Sequence, residues 1–276
     1  NAPVVALELD NLRQAVAWAT QNQNGELLAR LATKPRKWLM NYFCNYEEWL
    51  AWLQNALSLK ISDKSLEGWI YLSIGGIQQV TIHNENAFTA YSTAIDLFRA
   101  ANDPQGEANS QFAIGEIQLL KTQTDEAFGS FTAALNSFRS LGDLLGEANS
   151  LQMIGDIYQI KGNAKDALSS LQDAVDLFLS IGDQLGEANT IMSMGETYAA
   201  NNENDLALHS YKTALHLFHS TGSFRGEANT LAALSRLLVH EGKISEAEQK
   251  LREGADLRKQ IQDSFDEATD NGNFAI

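Results

Sequence analysis

Residues 146–185 read GEANSLQMIGDIYQIKGNAKDALSSLQDAVDLFLSIGDQL, and their first four letters recur at 106, 186 and 226. Gly-Glu-Ala-Asn thus returns every 40 residues without drift. A fixed period of about 20–50 residues is the mark of stacked structural repeats. Other columns keep the same step. Ile74-Gly75, Ile114-Gly115, Ile154-Gly155 and Met194-Gly195 form one, and Ala87, Ala127, Ala167, Ala207 and Ala247 another. Phe98, Phe138, Phe178 and Phe218 form a third.

Within a unit the spacing is helical. Ala148, Leu151, Ile154, Gly155 and Tyr158 recur at three and four residues, which places them on one side of a helix. Gly162-Asn163 then signals a turn. A second helix is predicted over roughly 164–181, with Ala167, Leu171, Ala174, Val175 and Phe178 on its apolar face. Gly182 suits its C-cap and Asp183 the N-cap of the next helix. Each unit is therefore a pair of antiparallel helices. One pair cannot bury two apolar faces, but stacked neighbours can. The fold class expected is all-α.

The small residues have a helical grammar of their own: Ile154-Gly155-x2-Tyr158 and Met194-Gly195-x2-Tyr198 on first helices, Ala127-x3-Phe131 and Ala87-x3-Tyr91 on second helices. These words resemble the tetratricopeptide repeat (TPR) family. The resemblance implies a solenoid in which antiparallel helix pairs stack into a right-handed superhelix. The period departs from the family's, 40 residues against about 34, and longer helices would account for it. HEAT and armadillo units have a similar period but lack the glycine and alanine spacing. Five units follow: 66–105, 106–145, 146–185, 186–225 and 226–265. The outer two are less regular. The first has Leu66, Glu67, Gly68 and Trp69 in place of the repeated word, and the fifth has Ser235 and Gly254 for the usual glycine and alanine. Atypical ends are expected of capping units. Residues 266–276 read as a partial helix or tail.

Residues 1–65 form a different, Trp-rich helical segment. All five tryptophans lie at or before Trp69. Helices are expected at 8–19, 26–43 (divided or kinked at Pro35) and 46–59. Glu8-Leu9-Asp10-Asn11-Leu12-Arg13, Ala17-Trp18, the Trp-rich hairpin and the repeats after it resemble the C-terminal sensor arm of STAND proteins, the NB-ARC-type signal-transducing ATPases. This resemblance implies a bacterial sensor whose nucleotide-binding domain lies elsewhere in the full-length chain. The sequence begins without methionine, as an excised piece of a longer protein would. The rival expectation is a free-standing TPR adaptor that scaffolds a complex.

Composition narrows the partners. The 276 residues carry 20 Lys+Arg against 35 Asp+Glu, a formal net charge of −15. Such a surface repels phosphate backbones and anionic membranes, so a protein or peptide with basic residues is the partner expected, and nucleic acid and membrane are not. No apolar run reaches the length of about 18 residues needed to span a bilayer. The single cysteine, Cys44, excludes an intramolecular disulfide and suits a reducing, cytoplasmic setting; it reads as a small core residue. No phosphate-binding, nucleophile-elbow or zinc-protease motif occurs, so neither catalysis nor a cofactor is expected. His216 and His219 share a helix face, but zinc needs three or four ligands, and no metal site is expected.

The Asn that ends the repeated word marks the candidate site. Asn109, Asn149, Asn189 and Asn229 sit on first helices, which line the concave side in TPR arrays. Three, four and seven residues on, the same helix face carries Phe112 and Glu116; then Gln152, Met153 and Asp156; then Met192 and Glu196; then Arg236. An amide offers donor and acceptor to a peptide backbone of any sequence. Glu116, Asp156 and Glu196 would favour Lys or Arg on the partner, with Phe112, Met153 and Met192 giving adaptable apolar contact. Two readings of the Asn column stay open: ligand contact, or hydrogen bonds that set the packing of successive units. The glutamates of the repeated word, Glu107, Glu147, Glu187 and Glu227, suit the first turn of a helix electrostatically.

Overall fold

The computed structural model describes residues 2–35 and 45–273. Every regular element among them is a helix. Cys44, Trp38 and the second half of the helix expected at 26–43 lie outside the described residues. The chain divides into two compact units, Asn1–Leu141 and Gly142–Ile276.

The first unit opens with α1 (Ala2–Gln21), α2 (Gly25–Thr33) and α3 (Tyr46–Ser58). Asn24 and Asn45 cap α2 and α3 by accepting from the amides of Leu27 and Glu48. Trp49 and Leu53 are fully buried with Leu28, Ala29 and Ala32. The indole of Trp49 donates to the Ala32 carbonyl at 2.9 Å, which satisfies the one polar atom that its burial brings in. Arg13 holds Glu48 through two hydrogen bonds of 2.9 and 2.8 Å, tying α1 to α3. Trp18, by contrast, is more than half exposed.

Two helix pairs complete this unit: α4 (Lys64–Val80) with α5 (Asn84–Ala101), and α6 (Pro104–Leu120) with α7 (Thr124–Leu141). The second unit holds three more: α8 (Leu144–Ile160) with α9 (Ala164–Ile181), α10 (Gln184–Ala200) with α11 (Asn204–Thr221), and α12 (Phe224–His240) with α13 (Ile244–Asn273). All five first helices have 17 residues, and the second helices before α13 have 18. Three linking residues inside each pair and two between pairs fill the period.

The joint between pairs repeats in chemistry. Phe178 ends its helix region fully buried, Gly182 takes φ +72°, and the amide of Asp183 donates to the Phe178 carbonyl at 2.9 Å. Asp183 then caps α10 by accepting from the amide of Gly186 at 3.0 Å. The ring of Phe178 lies on the bare Cα of Gly186; a Cβ there would come to 2.3 Å from the ring. Phe218, Gly222, Ser223 and Gly226 repeat this arrangement, as do Phe98, Asn102, Asp103 and Gly106. The glycine of the repeated word thus makes room for the preceding phenylalanine, and its alanine is buried beside it.

The glutamate of that word does more than face a helix dipole. Arg99 donates to Glu107 at 2.7 Å, and His219 lies 3.2 Å from Glu227, each bond joining a second helix to the next first helix. Leu179 stands at the matching place before Glu187. Burial raises the Glu187 carboxyl above its ordinary pKa. Among the described residues, no helix is long and apolar enough to cross a membrane.

Candidate ligand-binding face

In the second unit the first helices α8, α10 and α12 pack side by side. Residues 40 apart on them therefore form rows across neighbouring helices. Asn149 and Asn189 are half-buried and Asn229 is exposed. Among the described residues none of these three side-chain amides makes a hydrogen bond.

The acidic row lies about two turns further along the same helices, seven residues after each asparagine. Burial pushes the Asp156 carboxyl up to about 7; a hydrogen bond with Ser193 opposes the rise and the charge of Glu196 adds to it. Burial also raises Glu196, while Arg236 offsets part of that effect from 3.6 Å away. Tyr211, at 2 % exposure, is pushed up to about 12 by burial, with Glu196 adding and Arg236 opposing. Arg236 thus pairs with Glu196, and among the described residues no cation is placed against Asp156 on the adjacent helix. The arrangement favours a second positive group from outside, because bringing a cation to a partly desolvated carboxylate recovers the solvation it lost. Gln152 and Met153 are half-buried on α8 beside Asn149.

Met192 is placed differently from the rest. It is half-buried against Ala188, Ala214 and Phe218, and its sulfur accepts from the Thr230 hydroxyl at 3.3 Å. It is as much a core residue between α10 and α12 as a surface one.

In the first unit the corresponding face carries Asn109, Phe112 and Glu116 on α6. Asn109 donates to the Gln105 carbonyl of its own helix at 2.8 Å, so one of its donors is spent locally. Phe112 sits edge-on to Phe131 with centroids 5.1 Å apart and packs on the Ala108, Ala134 and Phe138 cluster. The Tyr91 hydroxyl donates to Gln79 at 2.7 Å, and Gln79 donates to Glu116 at 3.4 Å. Ser193 lies on the expected face, four residues on from Asn189, whereas Gln79, Tyr91 and Tyr211 join the site without having been expected there. The tyrosines read in sequence as packing residues of the second helix; the hydroxyl of Tyr91 makes its polar contact with Gln79, and Tyr211 lies within the field of Glu196 and Arg236.

Comparison with known proteins agrees with this architecture. The sequence profile of the soluble NSF attachment protein (SNAP) family matches residues 147–261. No curated protein matches significantly in sequence. Among solved structures, a Rap protein complexed with Competence and Sporulation Factor is similar with a TM-score of 0.74 and 15% identity, covering 96% of this chain and 79% of that one. NprR in complex with its cognate peptide NprX is similar with a TM-score of 0.64 and 17% identity, covering 86% and 67%. A STAND protein with a tetratricopeptide repeat sensor from Pyrococcus horikoshii is similar with a TM-score of 0.67 and 18% identity, covering 88% of this chain and 38% of that one. The fold is a TPR-like helical repeat.

Proposed function

We propose that this protein is a recognition module that acts by binding rather than by turnover, and that its ligand is an extended peptide with basic side chains. The observation that carries the reading is the pair Asn149 and Asn189: half-buried amides on side-by-side helices, without a hydrogen bond among the described residues and followed by Asp156 and Glu196 on the same face. An unpaired amide is a ready partner for a peptide backbone, and Glu196, joined by Asp156 when an incoming cation ionises it, selects the charge. The solved relative that holds its cognate peptide supports the peptide class, and the STAND relative supports the finer reading. In that finer reading the module is the sensing arm of a cytoplasmic STAND-type signal-transducing ATPase, with the nucleotide-binding domain in the same full-length chain.

The test is an array of extended peptides with and without Lys and Arg, probed with the protein and with the Asn149→Ala, Asn189→Ala double variant. Basic peptides should bind, and the double variant should lose about tenfold or more in affinity with an unchanged thermal melt, as expected when buried-side hydrogen bonds are removed. Full affinity in the double variant would sink the site. An ATPase domain in the complete reading frame would support the sensor arm over a free-standing adaptor.

A further inference from the structure

The first unit contains a second candidate site, away from the repeated word. A cavity of about 360 Å³ lies between the C-terminal end of α2 and the start of α4, lined by Arg30, Thr33, Lys34, Asp63, Ser65, Leu66 and Trp69. Cavities of this size hold small organic ligands. Its polar groups can be accounted for one by one. Asp63 caps α4 through the Leu66 amide at 3.1 Å and faces Arg30 at 3.6 Å. The Thr33 hydroxyl donates to the Ala29 carbonyl at 2.7 Å. Ser65 and the Trp69 indole N–H both donate to Asp103, just behind the wall.

What is left to offer a ligand is narrow. Lys34 has no ion-pair partner among the described residues, and the fork of Arg30 has N–H groups beyond the one directed at Asp63. The rest of the lining that faces inward is apolar: the buried Leu66 and the ring of Trp69, itself fixed edge-on to Phe98 at 5.3 Å. The lining itself carries two cations against one carboxylate, and the Asp103 carboxylate behind the wall is already engaged by Ser65 and the Trp69 indole, which leaves Lys34 and the fork of Arg30 as the charged groups open to a ligand. Positive charge gathered beside an immobilised indole selects for a negative head on an apolar body.

We propose that this cavity binds a small amphipathic monocarboxylate, its carboxylate between Lys34 and Arg30 and its apolar body against Leu66 and Trp69. Phenylacetate is a suitable probe, with the neutral phenylacetamide as its control. Isotope-labelled protein would be titrated with each, following the indole N–H signal of Trp69, identified by its loss in Trp69→Phe. Phenylacetate should shift that signal saturably, and phenylacetamide should bind about tenfold more weakly or worse. Lys34→Glu should abolish the shift while the other tryptophan signals stay in place, and Lys34→Gln should weaken it. Equal binding of acid and amide, no shift with the acid, or undiminished binding in Lys34→Glu would each overturn the proposal.

Discussion

Gly186 lies against the ring of Phe178 so closely that a Cβ would stand 2.3 Å from the ring's Cε1 and 2.4 Å from Cδ1. Phe178 is fully buried, so the ring has nowhere to retreat. Gly186→Ala should therefore destabilise the second unit by about 1–3 kcal/mol, as overpacking does. Gly226→Ala, against Phe218, should do the same. Gly129 is the control: it lies within α7 with open space around its Cα, so Gly129→Ala should gain about 0.5–1 kcal/mol through helix propensity. Urea denaturation of the three variants checks the contrast.

A second prediction concerns the contact missing between Leu179 and Glu187. Arg99 and His219 hold their glutamates, whereas Leu179 is exposed and Glu187 is raised by burial. Leu179→Arg should supply the absent partner and add up to about 1 kcal/mol, the upper range for a surface pair. The Glu187 carboxyl should then titrate at lower pH by carbon-detected NMR. The gain should shrink in high salt, which screens such pairs.

Asp156 makes stability depend on pH in a direction opposite to the usual carboxylate. Its folded pKa of about 7 lies above the ordinary value of 3.8, so between these values the folded state holds more protons than the unfolded state. Stability from this group is present below pH 4, declines as pH rises, and is gone above 7. Asp156→Asn should therefore be more stable than the parent at pH 8, with the difference fading towards pH 4. Denaturation curves for both proteins across that range measure it. A difference constant with pH would contradict the buried, protonated carboxyl.

The turns inside the helix pairs offer a fourth test. Gly162 and Gly242 take φ of +73° and +77°, and Ile82 must take +64° at the same place. A β-branched side chain in this region is strained by about 1–2 kcal/mol. Ile82 is also 84 % exposed, so its side chain loses little when removed. Ile82→Gly should raise the thermal midpoint of the first unit; a fall would mean that the chain entropy of glycine outweighs the relieved strain.

The repeats were legible because each weak signal is written several times. One Ala-x3-Phe pair means little, but five alanines at a constant step fix which face packs. The same repetition hid the work of individual letters. Glu107 and Glu227 read alike as first-turn acids, and nothing in one sequence says that Arg99 and His219 reach them from eight residues earlier. Met192 and Phe112 share a helix face with the asparagines, yet both are wide enough to belong to the core as well. Helical spacing gives the direction of a side chain, and its length decides what it touches. The cavity beside Trp69 was out of reach for a different reason. It draws on α2, which lies in the aperiodic segment, where no second copy marks Arg30 or Lys34 as notable.

The joint running from Phe178 to Gly186 is self-contained. Its ring, its left-handed residue, its cap and its bare Cα all fall within nine consecutive residues, and Phe218 to Gly226 repeats the set. Every boundary built this way presents the same plug and the same socket. A forty-residue cassette cut at Gly182 and Gly222 could be duplicated or deleted and still meet a matching end. The array can thus change length by recombination alone, with new surface residues free to diverge between unchanged couplings.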